Sequence, residues 1–288
     1  MLEITILLKT IRAKQWYKNI IIFLPLVFSL SFLDSNSFFL TVIGFFALCL
    51  TSSALYIRND IHDIELDKQH PVKKYRPLAS GKISKNTAQL ICFIFLASGL
   101  IIMAILNWQL VIILIFLIVN TSVYTKWLKH FPYVDLLSIS INFVIRVAVG
   151  MILLQVPISP WLIFGVFLIA LFLGLMKRKS EMIIMKENAI LHRKSFSRYS
   201  IKTLNYALIT SSILIMIIYS VYSVTSDPTG EYRLVYTIPI VGFIIFRQYY
   251  LSERDTSLRK FSEVINDKLT VFAIVMYIVT TLSLLYLY

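Results

Sequence analysis

Nine apolar stretches that are long enough, or nearly long enough, to cross a lipid bilayer dominate the sequence. They begin near residues 20, 38, 88, 109, 135, 160, 203, 234 and 269, and the first and eighth are short. About 20 apolar residues in a helix span the hydrocarbon core of a membrane. Hydrophobic residues make up 58% of the chain and charged residues only 15%, too few for the surface of a soluble protein of this size. The sequence therefore predicts an all-α, polytopic membrane protein with about nine transmembrane helices in one bundle.

The polar segments between these stretches are too short to fold alone, so we expect residues 1–288 to form a single integral-membrane domain. We expect no cleavable signal peptide, because the first apolar stretch lacks a small-residue cleavage site. Cys49 and Cys92 both lie within apolar stretches, so we interpret them as packing residues and expect no disulfide framework. No pattern in the sequence decides between a monomer and a homo-oligomer.

The distribution of basic residues predicts how the helices are oriented. If the N-terminus is cytoplasmic, the cytoplasmic segments are 1–19, 58–87, 124–134, 177–202 and 247–268. These segments contain 26 of the 28 lysines and arginines, which is a strong positive-inside signal. We therefore expect a multi-pass protein of the cell (inner) membrane, with its N-terminus and active site on the cytoplasmic side. The net charge of +13 does not indicate a nucleic-acid partner, because the bases flank apolar stretches.

The segment between the second and third stretches combines acidic and basic residues in an order that indicates a metal and phosphate site. Three aspartates follow Asn59 at helical spacing: Asp60, Asp63 and Asp67. Spacings of i, i+3 and i+7 place them on one helical face, where like charges repel unless a cation lies between them. Oxygen ligands of this kind suit Mg²⁺, whose coordination phosphate oxygens can complete. Three bases that could hold those phosphates come next: Lys73, Lys74 and Arg76.

The fifth stretch carries a polar stripe into the membrane. Asp135, Ser138, Asn142 and Arg146 share one helical face that extends over ~16 Å. An arginine this deep is costly and normally faces a cavity or a partner. Arg146 could pair with an acid that locks helices together, but we favour a cavity, because the stripe begins beside the charged loops.

The other polar segments allow two interpretations each. Lys18 and Asn19 either anchor the chain at the interface beside Trp16 or face the site. The bases near Lys177 either satisfy the positive-inside rule or bind phosphate, and Glu181 lies one turn after Lys177. The sequence contains no P-loop, dinucleotide fingerprint, nucleophile elbow or zinc-type Cys/His spacing.

These residues resemble a known family. The run Asn59-Asp60-x-x-Asp63-x-x-x-Asp67, followed by Arg76-Pro77-Leu78-Ala79-Ser80-Gly81, is similar to the first signature of the UbiA superfamily of intramembrane prenyltransferases. The resemblance covers essentially the whole chain and implies a nine-helix bundle. It also implies a cytoplasm-facing site that binds a diphosphate through Mg²⁺.

The second signature departs from the common family pattern. Where most members carry another aspartate-rich motif, this chain has Lys177-Arg178-x-x-Glu181, and no aspartate occurs between residues 177 and 202. That departure resembles the decaprenyl-phosphate phosphoribosyltransferase branch. The features shared with the branch are Arg12-x-x-Gln15-Trp16-x-Lys18-Asn19, Leu128-Lys129, the Asp135 to Arg146 spacing, Arg193-Lys194-Ser195 and Tyr199.

The branch resemblance implies a glycosyltransferase whose donor is phosphoribosyl diphosphate and whose acceptor is a polyprenyl phosphate. Asp60, Asp63 and Asp67 would hold Mg²⁺, Asn59 would assist, and Asp135 and Glu181 would orient bases or ribose hydroxyls. The residues expected to contact substrates are Lys18, Lys73, Lys74, Arg76, Tyr124, Lys126, Lys129, Arg146, Lys177, Arg178 and Glu181. The alternative is a UbiA-type prenyltransferase that uses a prenyl diphosphate. A weaker alternative is an anion transporter, although the internal repeats and broken helices typical of carriers are not evident.

Overall fold

The computed structural model describes residues 3–185, 199–225, 228–254 and 267–287, and these are helices joined by turns, with no strand among them. The long helices are α3 (Ser35–His62), α5 (Lys85–Leu106), α6 (Trp108–Lys126), α7 (Val134–Leu153), α8 (Pro160–Met185), α9 (Ile201–Thr225), α10 (Ile238–Arg254) and α11 (Lys268–Tyr286). The short α-helices are α1 (Ile4–Thr10), α2 (Leu24–Phe28) and α4 (Ile64–Gln69). The 3₁₀ helices are Ala13–Phe23, Lys73–Tyr75, Leu128–His130 and Arg233–Thr237.

Eight segments in the described part of the chain are long and apolar enough to cross a membrane. They correspond to eight of the nine predicted stretches, so the all-α, polytopic class is confirmed, whereas the count of nine is not. The stretch near residue 20 forms the 3₁₀ helix Ala13–Phe23 and the short α2 instead. Pro25 lies in the first turn of α2, and Asp34 caps α3 by accepting a hydrogen bond from the Ser37 backbone N–H at 2.9 Å. Too few residues remain between these two points for a spanning helix.

The described residues divide into two compact units. The first unit contains the chain up to Thr125 together with Ile145–Ile158, and the second contains Lys126–Val144 and the chain from Ser159 onward. Helix α7 therefore contributes its N-terminal half to the second unit and its C-terminal half to the first.

Two glycines allow close packing in the first unit. A Cβ at Gly99 of α5 would collide with Thr51 of α3, so the glycine lets these helices approach each other. A Cβ at Gly150 of α7 would collide with the backbone carbonyl oxygen of Ile22, so Gly150 lets the 3₁₀ helix Ala13–Phe23 lie against α7. The latter contact brings the N-terminal segment beside the membrane-embedded part of α7.

In the second unit, α7, α8 and α9 share an apolar core. Leu136 of α7, Phe172 of α8 and Leu204 of α9 are all buried in one cluster. Leu136 lies close to Gly174, where an added Cβ would be 3.0 Å from the leucine side chain. This packing fixes the start of α7, which carries Asp135, against α8.

Candidate functional site

Two buried carboxylates of the first unit share one arginine. Arg76 Nη1 donates to Asp60 Oδ1 at 3.0 Å and to Asp67 Oδ2 at 2.5 Å. Only 4% of the Asp60 surface and 3% of the Asp67 surface is exposed. Burying a carboxylate is costly unless a cation and hydrogen bonds compensate it. The guanidinium of Arg76 therefore provides the positive charge that the two aspartates require.

The loop that follows Arg76 holds the arginine in this position. The Arg76 carbonyl accepts from the Ser80 N–H at 2.9 Å, and the chain then turns at Gly81, whose φ of +74° favours glycine. Leu78 and Ile83 anchor both sides of the turn in an apolar cluster with Ile57 of α3. The Arg-Pro-Leu-Ala-Ser-Gly run therefore holds the Arg76 guanidinium in contact with Asp60 and Asp67.

A second arginine, Arg12, also binds Asp60. Its Nη2 pairs with Asp60 Oδ1, and its Nε donates to Oδ2 at 3.3 Å. Arg12 has a φ of 51°, a left-handed conformation that is uncommon for a non-glycine residue and reverses the chain between α1 and the 3₁₀ helix Ala13–Phe23. Arg12 was not among the site residues expected from the sequence, although it opens the Arg-x-x-Gln-Trp-x-Lys-Asn run.

The structure corrects the expectation that the three aspartates lie on one continuous helix. Helix α3 ends at His62, and Asp63 is the residue between α3 and α4. Asp63 accepts from Asn59 Nδ2 at 3.2 Å and lies 2.9 Å from His62 Nδ1, whereas Asp60 and Asp67 contact Arg76. A helix break at the middle aspartate therefore gives it partners different from those of the other two.

The remaining bases of this segment differ in their contacts. Lys73 Nζ lies 3.9 Å from Asp67 Oδ1, with 43% of its side chain exposed. Lys74 is exposed and lies over the ring of Tyr75, 5.2 Å from the centroid. Lys73 therefore lies beside the Asp67 carboxylate, whereas the neighbouring Lys74 is exposed to solvent.

The donor atoms of this group suit a hard divalent cation. Asp60 and Asp67 provide buried carboxylate oxygens close enough to share one cation, which at present is the Arg76 guanidinium. Among the described residues, no three His, Cys, Asp or Glu side chains are already arranged to hold a metal. A metal ion at these oxygens would therefore compete with the Arg76 guanidinium for them.

A second polar group lies deeper along α3, and we call its residues Lys18, Asn19, Ser52, Tyr56 and Arg146 the Arg146 cluster. Arg146 Nε donates to Asn19 Oδ1 at 2.7 Å, and Ser52 Oγ donates to the same oxygen at 3.3 Å. Lys18 Nζ lies 6.0 Å from the centre of the Tyr56 ring. Arg146 is 7% exposed and Asn19 is 1% exposed.

Burial and two neighbouring arginines affect the charge of Lys18. Burial lowers the pKa of Lys18 from its ordinary value to about 8, and repulsion by Arg146 and Arg12 contributes to the decrease. Arg12 itself lies over the Tyr56 ring, 5.1 Å from its centre. Two cationic side chains, Arg12 and Lys18, therefore lie close to the Tyr56 ring.

In the second unit, Asp135 is the centre of a buried network. Asp135 is completely buried and its Oδ2 accepts from Arg178 Nε at 3.1 Å and from Nη2 at 3.0 Å. Arg178 Nη1 donates to Glu181 Oε2 at 2.6 Å, so two carboxylates hold this guanidinium. Asp135 and Glu181 therefore hold the Arg178 guanidinium in place in the last two turns of α8.

Tyr199 completes that network. Its hydroxyl donates to Asp135 Oδ1 at 2.5 Å and accepts from the Tyr133 backbone N–H at 2.9 Å. Burial and the hydrogen bond to Asp135 raise the pKa of Tyr199 well above its usual range. The tyrosine therefore stays protonated at physiological pH and can keep donating to the carboxylate.

The remaining candidate residues lie around these groups. Lys177 is half exposed, with its Nζ 3.8 Å from Glu181 Oε1, and Lys126 is exposed at the end of α6. Tyr124 and Lys129 are partly buried. Arg193, Lys194 and Ser195 lie outside the described residues, so their expected match to the family branch stays a prediction.

Comparisons with known proteins agree with these features. A model of the UbiA prenyltransferase family matches residues 20–273. The chain is 26% identical to the decaprenyl-phosphate phosphoribosyltransferase of Mycolicibacterium smegmatis over 229 residues, 78% of this chain and 72% of the relative. It is 25% identical to the protein of the same name from Mycobacterium tuberculosis over 245 residues, 82% of this chain and 80% of the relative.

A solved structure shares the fold. A UbiA homologue from Archaeoglobus fulgidus bound to GPP and Mg²⁺ matches with a TM-score of 0.72, covering 96% of this chain and 98% of that chain, at 15% sequence identity. The family model spans most of the chain, and the apolar helices have the length and composition of membrane spans. The chain is a multi-pass membrane protein that belongs to the UbiA prenyltransferase family.

Proposed function

We propose that the protein is a Mg²⁺-dependent polyprenyl-phosphate phosphoribosyltransferase that makes a precursor of an envelope polysaccharide. It would transfer 5-phosphoribosyl from phosphoribosyl diphosphate to a decaprenyl-type polyprenyl phosphate and release diphosphate. The observation that carries the proposal is a replacement in the last turns of α8. Lys177 and Arg178 occupy the position where most family members have the second aspartate motif. Asp135 and Glu181 are bound to Arg178 there. The names of the relatives that match over most of the chain support the same reaction.

The charge balance of the two substrates supports this assignment over a prenyl donor. A prenyl diphosphate carries one phosphorylated group, whereas the proposed reaction brings a diphosphate, a 5-phosphate and a lipid phosphate together. More phosphates require more bases and fewer acids around them. Lys177 and Arg178 in place of an aspartate motif change the charge in the direction that this requirement predicts, with Asp135 and Glu181 as the acids that orient Arg178.

Asp60 and Asp67 would hold Mg²⁺ for the donor diphosphate, with Asp63 and Asn59 beside them. When bound, Mg²⁺ offsets the negative charge that grows on the leaving diphosphate. Arg76 would compete with the ion for these carboxylates, and the diphosphate is the anion with which its guanidinium could pair instead. Lys73 and Lys74 flank the same position and would bind the outer phosphate oxygens.

The transfer itself needs few protein groups. The bond between ribose C1 and the diphosphate oxygen breaks, its electron pair leaves with the diphosphate, and C1 gains oxocarbenium character. An oxygen of the lipid phosphate attacks C1 from the opposite face and forms the new C1–O bond. Because that oxygen is already anionic, no general base is required. The protein acts by positioning both substrates and by stabilising charge on the leaving group. The predicted phosphate contacts of Tyr124, Lys126, Lys129 and Lys177 stay predictions.

A UbiA-type prenyltransferase is the alternative. Solved UbiA homologues from Archaeoglobus fulgidus were captured with GPP or with DMAPP, each together with Mg²⁺. At 15% and 18% identity these similarities concern the fold. The relatives at 25–26% identity are named for transfer of phosphoribosyl to decaprenyl phosphate, and these names therefore support the phosphoribosyl reaction more strongly than the solved structures support a prenyl donor.

The direct test incubates the purified protein with labelled phosphoribosyl diphosphate, decaprenyl phosphate and Mg²⁺. We expect labelled lipid, and we expect chelation of Mg²⁺ to abolish its formation. Asp63→Ala is expected to eliminate turnover while the protein stays in the membrane. Glu65→Ala is a matched control, because this acid lies in the same segment with 80% of its side chain exposed. Turnover of a prenyl diphosphate with an aromatic acceptor, without any labelled lipid, would overturn the proposal.

A further inference from the structure

Helix α1 lies where the chain reaches the membrane surface. Arg12, two residues after α1, pairs with Asp60 in the last turn of α3. With 28 residues, α3 is about 42 Å long, which exceeds the roughly 30 Å of a hydrocarbon core, so its ends reach the headgroup layers. Trp16 Nε1 then donates to Ser53 Oγ at 3.0 Å, about two turns deeper in α3. The chain therefore passes from the surface at Arg12 into the bilayer, and α1 precedes that entry.

The side chains of α1 and of the residue after it form three groups around the helix axis. Ile4 and Leu8 are one turn apart and point in nearly the same direction. Thr5 and Lys9 point about 100° further round. The third group is turned to the protein and is buried or partly buried: Ile6, Leu7, Thr10 and Ile11. One side of α1 therefore packs on the protein, and the other two sides do not.

The two sides of α1 that face away from the protein differ in polarity. On one side Ile4 is 76% exposed and Leu8 is 47% exposed, and on the other side the polar Thr5 and Lys9 are exposed. A helix that lies in the plane of a membrane surface has this pattern, with its apolar side toward the acyl chains and its polar side toward water. Exposed apolar surface continues along the chain at Ile20, which is 55% exposed in the 3₁₀ helix that enters the bilayer.

The charge of this segment favours an anionic surface. Lys9 and Lys14 are both exposed, and Glu3 is the one acid among residues 3–20. Basic side chains next to a membrane are attracted to anionic headgroups. Only Ile11 separates α1 from Arg12, so a displacement of α1 would also move Arg12 relative to Asp60.

We propose that α1 is an in-plane anchor on the membrane surface, which inserts Ile4 and Leu8 among the lipids. Lys9 and Lys14 bind anionic phospholipid headgroups beside it. Through Arg12, the anchor also helps to hold the Asp60 side chain in place. This goes beyond the proposed function, because neither the lipid anchor nor Arg12 takes part in the transfer reaction.

The first experiment measures the depth of α1 by fluorescence. In a variant lacking Cys49 and Cys92, Leu8→Cys and Thr5→Cys each carry an NBD label, and the protein is reconstituted in nanodiscs of phosphatidylcholine and phosphatidylglycerol. We expect the label at Leu8→Cys to be quenched by a phospholipid with a nitroxide near the headgroup and to be shielded from iodide. The label at Thr5→Cys is the matched control, which iodide should quench.

Two results would overturn the lipid anchor. Equal quenching of both labels by iodide would show that water covers Ile4 and Leu8. Shielding of the label at Leu8→Cys from iodide, without quenching by the nitroxide lipid, would show that protein covers this side, such as a second copy of the chain.

The second experiment tests the anionic headgroups. We expect phosphatidylglycerol to increase the nitroxide quenching of the Leu8→Cys label, and we expect the pair Lys9→Gln and Lys14→Gln to lose this increase. Lys82→Gln should keep it, because this exposed lysine lies in the loop before α5. Equal quenching with and without phosphatidylglycerol would contradict the binding of anionic lipid.

These readouts are independent of the proposed reaction. If the wild type forms no labelled lipid but the Leu8→Cys label is quenched as expected, the reaction is wrong and the anchor is supported. If labelled lipid forms but iodide quenches both labels equally, the reaction is supported and the anchor is wrong.

Discussion

At the scale of single residues, Lys18 is the side chain whose charge changes in the physiologically relevant range. Burial and the neighbouring Arg146 and Arg12 lower its pKa to about 8, so in the free protein it is protonated below that value and neutral above it. A phosphate monoester stays dianionic through the same range. Lys18 is one of the residues expected to contact substrate phosphates, so we expect wild-type affinity for ribose 5-phosphate to fall between about pH 7 and about pH 9.5. Calorimetry at these two values measures the fall.

The matched variant for this pH dependence is Lys18→Arg. A guanidinium remains protonated at both values, so its affinity for phosphate should be nearly constant over the range. An equal fall in the wild type and in Lys18→Arg would show that another group is responsible. Bound phosphate should also raise the pKa of Lys18, so binding near pH 8 to 9 is expected to take up protons.

At the scale of secondary-structure elements, Gly150 determines how closely the N-terminal 3₁₀ helix approaches α7. Gly150→Ala introduces a Cβ that collides with the backbone carbonyl of Ile22, and a backbone group cannot move aside as a flexible side chain can. We expect a loss of about 1–3 kcal/mol in stability. Affinity for ribose 5-phosphate should fall too, because Lys18, an expected substrate contact, lies on the same 3₁₀ helix. Thermal unfolding in detergent and calorimetry measure the two effects.

Gly165→Ala is the control for this prediction. It also lies within a long apolar helix, but an added Cβ there meets no atom within 4 Å. We expect Gly165→Ala to equal or exceed the wild type in stability, because alanine is the better helix former. If both alanine variants behave alike, close packing at Gly150 does not matter.

The sequence predicted elements better than it predicted contacts. Apolar length was sufficient for the eight long segments, because each must bury its backbone hydrogen bonds in lipid. The first stretch was recognised as short but still counted among the nine, although Pro25 and Asp34 limit its length. Apolar length also did not predict that α3 stops at His62. Caps and helix breaks depend on a few residues that a hydropathy window averages out.

The sequence predicted many of the residues that form the site, but it did not predict which of them contact each other. The aspartates and Arg76 were identifiable from their spacing, since they are near each other in the chain. Arg12 with Asp60 and Asn19 with Arg146 are 48 and 127 residues apart, and no local periodicity relates them. The contact between Asn19 and Arg146 can be recognised only when the 3₁₀ helix Ala13–Phe23 is placed against α7.

At the scale of the whole molecule, the charge distribution predicts which side of the membrane each loop faces. In a variant lacking Cys49 and Cys92, we would introduce single cysteines at Lys82 and at Glu231, both of which are exposed. A membrane-impermeant maleimide should label Glu231→Cys in intact cells, and it should label Lys82→Cys only after lysis. The reverse pattern would contradict the positive-inside orientation and the cytoplasmic placement of the Asp60 site.

Arg76 also has a consequence for how the protein is made. In many small metalloproteins the ion supplies part of the folding energy, so the polypeptide cannot mature until the ion arrives. Here the counter-charge for Asp60 and Asp67 is part of the polypeptide itself. Membrane insertion and maturation can therefore be completed before any cation is delivered. Under the Mg²⁺ dependence that we propose, a cell short of magnesium would accumulate folded copies without activity, and these would become active when the supply recovers.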